Sequence, residues 1–356
     1  MDKDYQIIKT IDVEENENKK KLESIIFARV CCTLGITIYH YFCHSNSNYK
    51  FLYNTTNSTW GFMLSTTFFC ISGTILYYNY PLIYSIKTFY YKRWKRIFPS
   101  YYICFTFFYL NRAFTAHKFF FKGHWTKILY SIIGLDSYLS YKLNTYYIAG
   151  EWFLGAIIII YLLYPLILWI INKNIILIFF ILIIGYYIMF QTNFFIISKD
   201  MNIITCVCSF CFGIITIITI KYKNIFFDKH IIFIISISLL IFFNNIQMKV
   251  CIIIFQLQGF SLFLILIKLG KYIMKMRNIK ILNFLNNLSY SIFLYHHNII
   301  YDILGINNPE EWYKHLILLL MTFILTIICS LVHSMVIKSI FKSEIFIKLD
   351  SFFISL

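Results

Sequence analysis

Long apolar runs alternate with short polar gaps along the whole chain. Runs near twenty residues recur at about 23–43, 60–80, 99–116, 151–171, 174–190, 201–220, 231–248, 250–268, 284–304 and 315–337. Twenty apolar residues in a helix span a hydrocarbon layer of about 30 Å. A helix also satisfies its own backbone polar groups, as lipid demands. The pattern therefore predicts an all-α, polytopic integral membrane protein of about ten transmembrane helices. Residues 125–149 are apolar but interrupted, and read as lying on or dipping into the interface, with an eleventh span as the alternative.

The longest polar stretches are 1–22, 44–59, 117–127 and 305–315. They divide the chain into a polar segment (1–21), a transmembrane domain (22–338) and a short tail (339–356). The segment DVEENENKKK is acidic and polar ahead of the first apolar run, which is not the pattern of a cleavable signal peptide.

Composition supports lipid as the solvent. Hydrophobic residues make up 59% of the chain, charged residues 13%, and the mean hydropathy is +0.69. A soluble domain carries about a quarter charged residues, and neither one soluble core nor two would hide this much Ile, Phe and Tyr. The net charge of +16 would point to nucleic acid in a soluble protein. Here the basic residues sit in the gaps between apolar runs rather than in one stripe with interleaved aromatics, so no nucleic-acid partner is expected. With the N-terminus inside, 23 of the 32 Lys and Arg fall on the cytoplasmic side. That bias is the positive-inside rule, and it predicts both termini cytoplasmic in a cell (cytoplasmic or inner) membrane. The ten cysteines are scattered through apolar segments; CVCSFC (Cys206, Cys208, Cys211) holds a C-x-x-C with no His or second pair at ligand spacing. They read as small hydrophobes, and no metal site is assigned.

Ionisable groups inside such spans are costly and mark an interior or a wet cavity. The first run, FARVCCTLGITIYHYFC, carries Arg29 and His40 eleven residues apart. At 3.6 residues per turn they share a helix face, about 16 Å apart along the axis. Alone, Arg29 would read as a snorkelling anchor and His40 as a histidine bonding another helix. The second run holds FFCISGTIL, in which Ser72 and Gly73 permit close helix approach. In KTFYYKRWKRIFPSYY, Arg93 and Arg96 stand three apart, on one helical face, just before Pro99, a plausible helix start. Arginine forks suit phosphate, and the plain alternative is a basic anchor on anionic lipid. Glu151 and Trp152 open the fourth run, either near a hydroxylated substrate or as a solvated acid beside a belt tryptophan. The ninth run, LNNLSYSIFLYHHNII, packs Ser289, Tyr290, Ser291, His296 and His297 into one helix, which argues for a lined cavity.

In this order the motifs resemble the acyltransferase-3 family of membrane acyltransferases. The resemblance rests on Arg29 and His40 in the first span and on FFCISG in the second. It continues with Arg93 to Tyr101 (RWKRIFPSY), with Trp152 to Pro165, and with Ser289 to His296 (SYSIFLYH), and so covers about residues 22–337. Thr74 departs from the pattern, which has an aromatic after Ser-Gly, so local packing there should differ. About twenty residues follow the last run, too few for an extra C-terminal esterase-like domain.

The resemblance implies transfer of an acyl group, most often acetyl from acetyl-CoA, to a hydroxyl of a glycan or lipid-linked glycan. Acyl-CoA is then a donor substrate, no cofactor is bound, and membrane lipid surrounds the protein. Arg93 and Arg96, helped by Arg29, would hold the CoA phosphates. His40, as neutral imidazole, would deprotonate the acceptor or carry the acyl group itself; Glu151, Tyr290 and His296, with Ser72, Gly73 and Trp152, are weaker candidates for acceptor binding. The competing class is a multi-pass glycan transporter or polymerase without acyl-transfer chemistry. A membrane scaffold, the third reading, has little use for polar groups in spans one and nine.

Overall fold

The computed structural model describes residues 2–45, 48–54, 59–150, 152–192, 197–222, 230–245, 252–276, 279–306 and 309–354. Among them the fold is all-helical, with no strand beyond an isolated bridge between Asn54 and Thr59. The helices are α1 (Asp2–His44), α2 (Trp60–Asn79), α3 (Ile86–Thr115), α4 (Ile128–Ile132), α5 (Asp136–Leu139), α6 (Trp152–Lys173) and α7 (Ile175–Gln191). They continue as α8 (Ile203–Tyr222), α9 (His230–Asn245), α10 (Ile252–Met276), α11 (Lys280–Ile306), α12 (Trp312–Phe341) and α13 (Glu344–Ile354).

Among the described residues, six segments are long and apolar enough to cross a membrane: Glu23–His44, Trp60–Asn79, Trp152–Lys173, Ile203–Ile220, Ile252–Ile273 and Trp312–Phe341. Ile175–Gln191 and Ile232–Phe242 are shorter apolar helices. Every one of the ten apolar runs falls largely within a helix, but α3 and α11 carry too many polar residues to qualify on composition. No helix between residues 125 and 150 is long enough for an eleventh crossing.

Caps place several of these starts. Thr59 accepts from the Phe62 amide at the head of α2, and Asn174 accepts from the Ile176 amide at the head of α7. Ser85 likewise accepts from the Thr88 amide, so α3 begins at Ile86 and Pro99 lies inside the helix rather than at its start. The stretch before the proline is rich in Lys, Arg and Tyr, whose long side chains keep a helix while reaching polar surroundings. Proline is tolerated within a helix of a membrane bundle; two residues before it, Tyr290 of α11 donates to the Ile97 carbonyl at 3.1 Å.

Contacts between helices fix their relative directions. Arg29 meets Asn286 and His40 meets His297, so α1 and α11 run parallel. Ile97 meets Tyr290 and Arg112 meets Asn298, so α3 runs with them. Phe62 packs on Phe255 and Thr67 reaches the Gly259 carbonyl, making α2 and α10 parallel. The start of α2 lies against Tyr39 and the Gly270 end of α10 lies against Ser24, so this pair opposes α1.

The closest helix contact joins α2 to α8. A Cβ added at Gly73 would fall 2.0 Å from the Phe210 carbonyl oxygen, and one at Gly213 would fall 1.9 Å from the Cys70 carbonyl oxygen. Thr74 is fully buried between them, its hydroxyl 2.9 Å from the carbonyls of both Cys70 and Gly213. That explains the departure from an aromatic: no ring fits where two backbones touch. Cys206 and Cys211 sit buried in the same apolar core.

At the end of the chain, α13 docks on α3. Lys95 bonds both oxygens of Asp350 at 2.7 and 2.5 Å, Tyr91 donates to Asp350 at 2.8 Å, and Tyr91 stacks on Phe353. The bond from Lys95 holds the Asp350 carboxyl below its ordinary range.

Four outcomes are expected. Gly73→Ala drives a methyl into the backbone of α8 and costs about 1–3 kcal/mol, read as a lower thermal midpoint in detergent. Gly305→Ala, with nothing within 4 Å of the added carbon, leaves the midpoint unchanged. A carboxyl held low in the folded state stabilises at neutral pH and loses that contribution as pH falls through its folded value. Hydrogen exchange of residues 344–354, measured relative to the intrinsic rate at each pH, should therefore stay slow down to about pH 4, near the unperturbed aspartate value, and accelerate below it. Asp350→Asn should make it fast already at pH 7.

Candidate active site

One face of α1 carries polar groups at helical spacing: Arg29, Thr33, Thr37, His40 and His44. Thr33 and Thr37 bond back to the carbonyls of Arg29 and Thr33, at 2.9 and 3.1 Å, and so satisfy themselves within the helix. The ionisable members need other partners. Arg29 donates to the Asn286 side chain at 3.4 Å, and the His40 ring lies 4.8 Å from that of His297. The polar stripe of α1 thus faces the polar stripe of α11.

Between them, with α2, α3, α6 and α12 as walls, lies a cavity of about 1250 Å³. Its lining is divided. Arg29, Lys92, Arg93, Lys95, Arg96 and Asn286 lie toward the beginnings of α1, α3 and α11; His40, His44, Arg112, His297, Asn298 and Tyr301 lie toward their ends. These three helices run parallel, so the basic cluster occupies one end and the histidines the other. Arg93 donates to the Tyr80 hydroxyl at 3.1 Å and lies over the Tyr80 ring, while its buried Nε has no hydrogen-bond partner.

Of the residues singled out in the sequence, Arg29, His40, Ser72, Arg93, Arg96, Trp152 and Tyr290 line this single cavity. The adjacent pair Ser72 and Gly73 splits: Ser72 faces the cavity, and Gly73 is spent on the contact with α8. Tyr290 lines the wall while its hydroxyl is engaged by Ile97. His296 is fully buried behind the lining, its Nδ1 at 3.1 and 2.9 Å from the carbonyls of Ile292 and Phe293 and its ring 5.3 Å from His40. Its neighbour His297 is the one that reaches the cavity. Glu151 lies outside the described residues.

His44, Arg112 and Asn298 were not picked out from the sequence, and His297 was named only among the polar groups of its run, without a role. The first had a signal, since HYFCH places it one turn beyond His40 on the same face. Arg112 had none, standing at the polar end of an apolar run. It donates to the Asn298 side-chain oxygen at 2.5 Å, and Asn298 donates in turn to the Ile148 carbonyl at 2.8 Å. That chain ties the 145–150 loop to the bundle, and Tyr147, Ile148, Ala149 and Gly150 close part of the cavity wall. Behind the loop, Asp136 is buried and accepts from Ser131, the Ser137 amide and Tyr101. Burial pushes its carboxyl up, and those donors oppose the shift.

Residues 22–335 match the sequence model of the acyltransferase-3 family, described as an acyltransferase domain. No curated protein and no solved structure gives a significant match.

Asn298→Leu should leave the Arg112 guanidinium and the Ile148 carbonyl without their partner, at about 1–3 kcal/mol for each buried group left unpaired. Hydrogen exchange should show the 145–150 backbone losing protection while residues 60–79 keep theirs.

Proposed function

Because the chain belongs to the acyltransferase-3 family of membrane acyltransferases, we propose that it moves an acetyl group from acetyl-CoA to a hydroxyl of a cell-surface glycan. The observation that carries this reading is the divided lining of one cavity, basic at one end and histidine-bearing at the other. At about 1250 Å³ the cavity exceeds the usual range for a single small ligand, which leaves room for a donor and an acceptor together.

In this reading Arg93 and Arg96, with Arg29, hold the CoA phosphates through charge-assisted forks. The pantetheine arm covers the roughly 16 Å rise between Arg29 and His40 and brings the thioester to the imidazole. His40 takes the proton of the acceptor hydroxyl, the oxygen attacks the thioester carbonyl, the carbon–sulfur bond breaks, and the CoA thiolate leaves and recovers the proton. Trp152 shapes the acceptor side, Tyr290 and Ser72 line the passage between the two ends, and His296 supports the His40 ring from behind. A ten-span topology with both termini cytoplasmic puts the basic end at the CoA pool. The Lys and Arg bias supports it, and so do the parallel directions of α1, α3 and α11, the first, third and ninth apolar runs. The membrane is then the cytoplasmic membrane.

His40→Ala should lower transfer of labelled acetyl from acetyl-CoA by about 10²–10⁴-fold at an unchanged level of protein in the membrane. Unchanged transfer would remove His40 from catalysis. Arg93→Ala with Arg96→Ala should raise the KM for acetyl-CoA at least about tenfold, from the loss of charge-assisted bonds worth about 1.5–3 kcal/mol each. An unchanged KM would reassign the pair to lipid anchoring. A glycan transporter or polymerase would consume no acetyl-CoA when purified.

A further inference from the structure

We propose that His40, His44 and His297, at the end of the cavity away from the arginines, form a binding site for a divalent transition-metal ion such as zinc, and that a bound ion switches acyl transfer off.

The three side chains meet from two helices. His40 and His44 stand one turn apart on α1, and His297 reaches them from α11. One coordinating atom from each lies within 4.8 Å of the others, and the ring centroids of His297 are 4.8 Å from those of both His40 and His44. Zinc holds imidazole nitrogens at about 2.0–2.1 Å, which in a tetrahedron sets them about 3.3 Å apart. Closing the triad from 4.8 Å asks the nitrogens to approach by about 1.5 Å, a distance on the scale of imidazole side-chain rotation. All three line the cavity, so an ion has a route in and the fourth position faces open space. Tyr301 stacks on His297 at 4.9 Å and lies 4.7 Å from His44, which narrows the orientations that the rings adopt.

The donor set decides which ion. Three imidazoles with no carboxylate among them suit zinc, copper or nickel and disfavour calcium and magnesium, which want oxygen. Arg112 lines the same end and adds positive charge beside the ion. That keeps the site weak enough for the ion to leave, as a switch requires and a permanent structural metal does not.

The inhibitory half rests on the reading of His40 as the base. The lone pair that bonds the metal is the one that takes the acceptor's proton, so the ring cannot do both. A metal in this place also stands where the acceptor hydroxyl would approach.

The test uses the full chain in lipid nanodiscs, purified on a tag without histidine. Titration with Co²⁺ should give the visible absorption of a nitrogen-ligated site at one ion per chain, removed by excess Zn²⁺. His44→Gln and His297→Ala should each abolish the band, while His333→Ala, a cavity histidine on α12, should keep it. No band in the wild type, or a band that survives both variants, overturns the site. In parallel, Zn²⁺ should lower labelled acetyl transfer by the wild type at least tenfold, and His44→Gln should need at least tenfold more Zn²⁺ for the same effect. Transfer that rises with Zn²⁺, or is indifferent to it while the band forms, overturns the inhibitory role. Absence of any transfer without metal, with the cobalt band present, would defeat the acetyl-transfer reading and leave the site standing.

Discussion

Ionisable side chains within an apolar bundle must face one another or water, and the pairing of α1 with α11 is how this chain meets that constraint. Neither helix places its polar stripe against lipid at acceptable cost. Facing each other in parallel, they bring Arg29 to Asn286 at one level and His40 to His297 three turns further on. The remaining helices arrange themselves around that seam. α3 runs along α11 and adds Arg93 and Arg96 at the same end; α12 packs against α11 and shields it; α2 and α6 complete the walls, with α10 packed on α1 and α2. The composition of α11 makes sense only in this place. It fails as an apolar span because it is the lining of the cavity and not a surface for lipid.

The cavity inherits a polarity from that seam. Five basic side chains gather toward Arg29 of α1 and the beginning of α3, with no acidic residue among the described lining at that end. In a water-poor interior such a cluster attracts anions far more strongly than it would at a surface. The other end carries imidazoles, which accept a proton or bond a metal without a permanent charge. The proposed reaction would use this separation for positioning, because a phosphate-bearing donor docked at one end would deliver its reactive carbon to the other.

Much of this was legible in the sequence, and the parts that were not share a cause. Apolar runs mark membrane helices because lipid leaves a chain few alternatives, and all ten lie largely within helices. The start of α3 was hidden, since its first thirteen residues carry charges that hydropathy reads as a loop, although Ser85 was there to cap it. The Arg29–His40 face followed from helical spacing alone. Which helix would oppose that face did not, and without that the choice between His296 and His297 was blind: both sit in the same run, and only the rotation of α11 decides that one bonds its own backbone while the other meets the cavity. Ser72 and Gly73 divide for the same reason. Arg112 and the Asp136 loop depend on contacts between segments far apart in the chain, which no local pattern encodes.

Arg93 shows how the bundle holds a charge in the cavity wall. Its guanidinium is fixed by the Tyr80 hydroxyl and lies over the rings of Tyr80, Phe89 and Tyr161, at 4.8, 5.8 and 5.8 Å. These contacts orient the charge and recover part of the cost of burying it. They leave the Nε donor buried and unpaired, a cost of about 1–3 kcal/mol in a resting protein. In the proposed reaction the guanidinium of Arg93 is a group that a CoA phosphate would meet, and the rings that hold it beforehand would reduce what binding has to order.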